Sequence, residues 1–118
     1  MATLWHSRAQ QLLALRERAE MGGGARRMEK QKAAGKLSAR ERLELRFDAG
    51  TFVEVGELVE SRINDFGMDA RRVPGDGVVT GFGKIGGMTA CASSEDFTVI
   101  GGTLGEYHSQ KICHIMDM

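Results

Sequence analysis

The stretch from Asp65 to Glu106, DFGMDARRVPGDGVVTGFGKIGGMTACASSEDFTVIGGTLGE, decides the fold of this chain. Its middle part is a glycine-punctuated turn, VPGDG, that leads into a strand. Its last part, EDFTVIGGTLGE, is typical of a strand that ends at Gly101 and Gly102 and opens a helix. A glycine pair at such a junction leaves backbone N–H groups bare, and these can hold a carbonyl oxygen that becomes negative during a reaction. Tight packing of strand against helix is the competing explanation for the pair.

The chain before this stretch has the periodicity of helices. An apolar stripe predicts a first helix that ends at the three glycines from Gly22 to Gly24. A short polar helix is predicted from Arg26 to Ala34, and a capping box, Ser38-Ala39-Arg40-Glu41, begins a third. The residues of the first stripe are Trp5, Ala9, Leu12 and Leu13, and those that share one face of the third helix are Ala39, Leu43 and Phe47. We therefore assign residues 1–50 to a helical lead-in and residues 51–118 to the first part of the main domain.

After Gly50 the apolar period changes to that of strands. Strands are predicted at Phe52–Val55, with an extension to Leu58, and at Val78–Ile85 and Met88–Ser93, where Gly86-Gly87 indicates a hairpin. A short apolar run follows from Phe97 to Ile100. A second capping box, Thr103-Leu104-Gly105-Glu106, predicts a final helix with one apolar face. That face carries Leu104, His108, Ile112 and Ile115, which predicts a core or interface histidine.

Composition excludes several classes of protein. The 118 residues suffice for one domain, and 42% of them are hydrophobic. The net charge of +0 predicts no general attraction to nucleic acid or to anionic membranes. No apolar run approaches the roughly 20 residues of a membrane span, and the N-terminus does not have the pattern of a secretory signal. Cys91 and Cys113 form no CxxC pattern and no metal site is expected, so we predict reduced thiols and a cytoplasmic protein.

Three segments together resemble the carboxyltransferase (β) subunits of biotin-dependent acyl-CoA carboxylases, in the branch of propionyl-CoA carboxylase and methylmalonyl-CoA decarboxylase. They are GGGARRMEKQKAAGKLSARERLELRFDAGTFVEVGEL from Gly22 to Leu58, the stretch quoted first, and YHSQKICHIMDM from Tyr107 to Met118. The resemblance implies an α/β, crotonase-like fold in which ββα units wind into a spiral. Because subunits of this family are several times longer, we expect the chain to be their N-terminal portion and to be inactive alone.

The resemblance also implies a reaction. Family members move a carboxyl group from carboxybiotin to the α-carbon of a short acyl-CoA such as propionyl-CoA, through an enolate whose oxygen is stabilised by backbone N–H groups. Gly101 and Gly102 would lie beside the thioester and take part in CoA binding, while the best-defined oxyanion donors of the family belong to a later SGGAR-type segment. The biotin would be carried by a separate protein or domain. The implied partners are a biotin carboxylase or carrier subunit and further copies of the full-length subunit, in a hexamer.

Basic residues around the third helix are candidates for the phosphates of CoA. Arg40, Arg42 and Arg46 supply forked donors, and the ARER motif that contains two of them is typical of the family. Lys36 is a further candidate for the same phosphates. The alternative is a solvated helix held by pairs such as Arg40–Glu44.

The remaining motifs have structural explanations, and two alternative functions stay open. GFGKIG from Gly81 to Gly86 matches G-x-G-x-x-G, but strand pattern follows it, which favours a hairpin over a dinucleotide loop. Asp65-Phe66-Gly67 matches the D-F-G motif of kinases, but the other kinase motifs do not occur in the sequence, which excludes a kinase. We expect Asp76 to bond to its own turn and Asp96 to orient the loop before the glycine pair. The alternative functions are a biotin-dependent acyl-CoA decarboxylase subunit and a truncated, non-catalytic interaction module.

Overall fold

A computed structural model describes residues 2–60, 72–99 and 105–118 of the chain. This part of the chain forms an arrangement of four helices and three strands, which is of the α/β class that the sequence predicted. In chain order the elements are α1 (Ala2–Glu20), α2 (Ala25–Ala33), α3 (Ala39–Arg46), β1 (Val53–Val55), β2 (Val78–Ile85), β3 (Met88–Glu95) and α4 (Glu106–Asp117).

The three strands form one antiparallel sheet in the order β1-β2-β3. Phe82 of β2 lies opposite Val53 on one side and Cys91 on the other. Between β2 and β3 the chain turns at Gly86 and Gly87, whose φ angles of 58° and 80° suit the tight hairpin turn that the sequence indicated. The G-x-G-x-x-G motif therefore belongs to a hairpin, and β3 continues two residues beyond its predicted end.

One face of the sheet packs against α3. The predicted capping box is present, because the Ser38 hydroxyl accepts from the Glu41 backbone N–H while the Glu41 carboxylate accepts from the Ser38 N–H. The box orients the helix so that its apolar face meets Val79 of β2. The buried members of this face are Ala39, Leu43 and Phe47. Burial of each large apolar side chain stabilises the fold by about 1.5–3 kcal/mol.

The opposite face of the sheet packs against α4. Thr80 follows Val79 along β2, so its side chain lies on the other face, beside Lys111 of α4. His108 is buried, as predicted, and its Nδ1 lies 2.8 Å from the carbonyl oxygen of Asp76. The Lys111 ammonium group is also buried and donates to the carbonyl oxygens of Gly75 and Val78 at 2.7 and 2.5 Å. These bonds hold α4 against the VPGDG turn.

An ion pair joins α3 to the edge strand of the sheet. The Arg40 guanidinium is paired with the Glu54 carboxylate through both of its terminal nitrogens, one of them at 3.0 Å. Burial works to lower the pKa of Arg40, but the hydrogen bond and charge of Glu54 outweigh it, and the pKa lies above its ordinary value. Both side chains are largely shielded from solvent, which makes this pair stronger than an ordinary surface bridge.

The structure corrects two sequence-based expectations. Residues 97–99 form a turn rather than a strand, because the Val99 N–H donates to the Asp96 carbonyl and closes the chain on itself. The N-cap of α4 is Gly105 rather than the first residue of the predicted capping box, and Thr103 and Leu104 of that box lie outside the described residues. The predicted first helix is present as α1, and its stripe residues Trp5, Leu12 and Leu13 are all exposed.

Two further points concern the organisation of the chain. None of the helices in the described ranges has the length and apolar character needed to cross a bilayer. The division at residues 50 and 51 stays a prediction, and α3 from the first part shares one core with β2 from the second.

We predict that Arg40→Ala lowers the free energy of unfolding of this chain by about 2 kcal/mol, the range of a charge-assisted hydrogen bond whose buried partner is left alone. Chemical denaturation of wild type, Arg40→Ala, Glu54→Ala and the double variant would give the coupling energy. Arg46→Ala, at an exposed position on the same helix, is the matched control. Additive effects of the two changes would show that the pair contributes nothing.

We also predict that stability rises with pH because of Lys111. Burial lowers the pKa of its ammonium group from 10.5 to about 8. Between these values the unfolded chain binds a proton that the folded chain does not, so the free energy of unfolding increases with pH, by up to about 1.4 kcal/mol per pH unit.

Denaturation curves between pH 7 and pH 10.5 test this. The rise should be largely lost in Lys111→Met and kept in Lys84→Met, which alters an exposed lysine of β2. Parallel pH profiles for wild type and Lys111→Met would contradict the prediction.

Candidate functional site

The structure brings two of the predicted CoA-binding residues together and directs a third elsewhere. Lys36, after α2, and Arg42, on α3, line one groove. Arg40 points to the other side and holds Glu54, so its forked donors are engaged within the fold. Gly101 and Gly102 lie outside the described residues, and their roles stay predictions.

Four cations and one aromatic ring form what we call the basic groove. It consists of two adjoining clefts of about 530 and 410 Å³ that share Gln31, Lys36 and Phe97. The cations that line it are Arg27, Lys30, Lys36 and Arg42. The Phe97 ring is 66% exposed, and the Lys36 ammonium lies 5.7 Å from its centroid. A flat apolar ring amid positive charge suits a ligand that combines an aromatic base with phosphate groups.

Local folding explains why these side chains converge. The turn from Gly35 to Ser38 joins α2 to α3, and Gln31 closes it by donating to the Leu37 carbonyl at 2.7 Å. This places Lys36 above the end of β3. Arg42 donates to the Glu95 carbonyl at 2.6 Å, which fixes one wall of the groove to the last residue of that strand. The groove therefore lies where three elements meet, α2, α3 and β3.

The turn at Asp96–Val99 forms the other wall of the groove. Asp96 is buried, and its Oδ1 accepts from both the backbone N–H and the hydroxyl of Thr98, at 2.9 and 2.5 Å. The expectation that Asp96 orients this loop agrees with these bonds. Thr98 and Phe97 both line the groove, and the chain continues from Val99 toward Gly101.

The half-buried carboxyl group of Asp76 lies near the start of α4. Burial raises its pKa, and a hydrogen bond from the His108 backbone N–H together with the charges of His108 and Lys111 partly opposes that effect. Asp76 has a positive φ of 49°, and its Oδ2 is buried without a hydrogen-bond partner. The side chain thus faces α4 rather than bonding to its own turn as expected. No carboxylate or histidine cluster suited to a metal occurs in the ranges that the structure describes.

Sequence reasoning missed several residues of the groove. The sequence pattern does not single out Arg27, Lys30 or Phe97, and it predicts a strand at Thr98. The run ARRMEKQK in α2 carries a concentration of positive charge that was a usable signal. Nothing in the local pattern, however, shows that α2 would lie beside residues some 70 positions later.

Comparisons with known proteins agree with this geometry. The family described as "Carboxyl transferase domain" matches residues 30–118. The chain is 51% identical over 109 residues to the methylmalonyl-CoA decarboxylase subunit alpha of Propionigenium modestum, covering 92% of this chain and 21% of that protein. It is 56% identical over 100 residues to the propionyl-CoA carboxylase beta chain of Cereibacter sphaeroides, covering 85% and 20%. The chain thus spans about a fifth of the length of these relatives.

A solved structure shows the same fold. The crystal structure of transcarboxylase 12S with methylmalonyl-coenzyme A and methylmalonic acid bound superposes with a TM-score of 0.90 at 48% identity, covering 95% of this chain and 22% of the other. Both the α/β class and the crotonase-like fold expected from the sequence are thereby confirmed. Since the family match extends over most of the chain, and the fold agrees with it, the chain belongs to the carboxyl transferase domain family.

Proposed function

We propose that this chain forms part of the acyl-CoA side of a carboxyltransferase that moves a carboxyl group from carboxybiotin to the α-carbon of a short acyl-CoA. The observation that carries the proposal is the basic groove, which lies on the turn that leads to Gly101 and Gly102 in a chain of this family. The names of the relatives point to the same substrates, propionyl-CoA and methylmalonyl-CoA.

The groove supports CoA binding on chemical grounds. Diphosphate and ribose phosphate groups carry several negative charges, and Lys36 and Arg42 lie where such groups would fit. The open face of Phe97 offers a surface for a purine ring. Arg40 keeps a supporting role in this proposal, because its pairing with Glu54 holds α3 and hence Arg42 in place.

The biotin site is not assigned to residues of this chain. Biotin would arrive as carboxybiotin on a separate carrier protein or domain and supply the carboxyl group. The residues described here would bind and orient the acyl-CoA, and Gly101 and Gly102 would place backbone N–H groups beside the thioester oxygen. We further propose a homo-oligomer, for which the hexamer of transcarboxylase 12S is the precedent, and a cytoplasmic location.

A decarboxylase subunit is the second candidate. The match to the Propionigenium modestum protein favours it as strongly as the other relatives favour carboxylation. Both reactions need the same acyl-CoA enolate, so the groove serves either. The experiment is an assay of the full-length protein with a carboxylated biotin carrier and propionyl-CoA, and in reverse with methylmalonyl-CoA and free carrier. Absence of transfer in both directions would overturn the proposed function.

We predict that Lys36→Ala in the full-length protein raises KM for the CoA ester about three- to tenfold and leaves kcat nearly unchanged. A phosphate remote from the reacting carbon binds alike in the substrate and the transition state, so its loss moves KM alone. Lys84→Ala, on the exposed hairpin, is the matched control of charge. An unchanged KM for Lys36→Ala would remove this lysine from the site.

We predict that Gly102→Val reduces kcat/KM about a hundredfold, the usual effect of losing one well-placed backbone donor. A β-branched side chain would resist a positive φ and fill space next to the thioester. Melting temperature and oligomeric state, measured together with the rate, separate this effect from misfolding. Wild-type kinetics in a soluble Gly102→Val protein would show that the glycine serves packing only.

A further inference from the structure

Hydrogen bonds from the loop between α1 and α2, and from α2 itself, hold the turn at Asp96–Val99. The backbone N–H of Gly23 donates to the Thr98 hydroxyl at 2.9 Å, and the Arg27 guanidinium donates to the Thr98 carbonyl at 3.2 Å. Thr98 is 6% exposed, and both bonds are partly buried. One threonine thus receives bonds from two residues that precede it by 75 and 71 positions.

The glycines of this loop are required by the contact itself. A Cβ atom on Gly23 would overlap the Thr98 carbonyl oxygen, which belongs to the backbone and could move only if the turn moved. Gly22 has a φ of 53°, and a Cβ there would collide with the Asp96 carboxylate. The three-glycine loop therefore does more than end α1, because it allows two backbone segments to touch.

The segment that contains Gly101 and Gly102 is bounded by two anchored ends. Before it, Thr98 and Val99 are fixed by Gly23 and Asp96. After it, α4 is fixed by the bonds of Lys111 to the Gly75 and Val78 carbonyls. Gly101 is three positions after Thr98, a span of at most about 11 Å of chain. A displacement of Thr98 would therefore be transmitted to the glycine pair through only two intervening residues.

We infer that Thr98 is a positioning residue for carboxyl transfer, and that Gly23, Arg27, Asp96 and Thr98 form a clamp by which the helical lead-in sets the geometry of the Gly101-Gly102 segment. The inference rests on the proposed function, since it assigns the glycine pair to the thioester. Thr98 acts through the backbone that follows it and not by touching the reacting atoms. The clamp gives α1 and α2 a role in the reaction beyond their contribution to stability.

The test compares two buried threonines in the full-length protein. Thr98→Val keeps the shape of the side chain but removes the hydroxyl that accepts from Gly23. Thr80→Val is the matched control, because Thr80 is 1% exposed and its hydroxyl donates to the Val55 carbonyl at 2.7 Å, away from the turn. Thr98→Ser restores the hydroxyl. The measurements are kcat and KM for propionyl-CoA, melting temperature, and amide hydrogen exchange of the peptide that covers residues 97–105.

We expect Thr98→Val to lose about tenfold in kcat, with KM within about twofold of wild type, because small displacements of a catalytic group act on the transition state. Exchange of the 97–105 peptide should become faster. Thr98→Ser should return kcat to within about twofold, and Thr80→Val should lower the melting temperature with kcat kept. An equal loss of kcat in both valine variants, or wild-type kcat in Thr98→Val, would overturn the clamp.

A second variant covers the case in which Thr98→Val does not fold. Arg27 is exposed, so Arg27→Met removes the bond to the Thr98 carbonyl without disturbing the core. We expect a loss of about threefold in kcat. A change confined to KM would show that Arg27 only binds phosphate, which overturns the clamp. An inactive wild-type protein would overturn the proposed function and this inference with it, whereas an active wild type with an unaffected Thr98→Val overturns the inference alone.

Discussion

The described fold depends on the hydrogen bonds that the buried ammonium group of Lys111 donates to two backbone carbonyl oxygens. The ammonium group donates to the carbonyl oxygens of Gly75, in the VPGDG turn, and of Val78, the first residue of β2. Burial of this charged group costs free energy and lowers its pKa to about 8. The two short hydrogen bonds to backbone carbonyls offset part of that cost. Because Lys111 lies on α4, the same bonds decide where that helix packs. The VPGDG turn, the sheet and α4 thereby become one unit.

The carbonyls of this turn also organise the approach to the candidate site. Asp76 presents its carbonyl to His108, and Gly77 presents its carbonyl to the backbone N–H of Asp96 at 2.8 Å. The turn thus holds α4 on one side and the Asp96–Val99 turn on the other. A ligand in the basic groove would meet a wall whose backbone is fixed through this chain of bonds. Because a displacement of about 1 Å can lower a reaction rate strongly, a site benefits from rigid support of this kind.

Arg40 and Arg42, both on α3, have different roles. Arg40 and Arg42 are two residues apart, so they point to different sides of the helix. Arg40 faces the sheet, where Glu54 neutralises it, and Arg42 faces the groove next to Lys36. The same residue type thus serves the fold at one position and the ligand at the other. The ARER motif alone could not separate them, since the partner of Arg40 lies 14 residues later on an edge strand.

The sequence by itself determined the local elements, because their signals act over a few residues. The capping box at Ser38, the apolar face of α3, the hairpin at Gly86-Gly87 and the buried His108 all follow from neighbours within a turn or a strand pair. Motif order further indicated the family. Tertiary structure alone decided the rest. It turned residues 97–99 back on Asp96, buried a lysine that reads as solvent-facing, and brought Gly23 to Thr98. These outcomes depend on bonds between residues far apart in the chain, and no local preference encodes such a pairing.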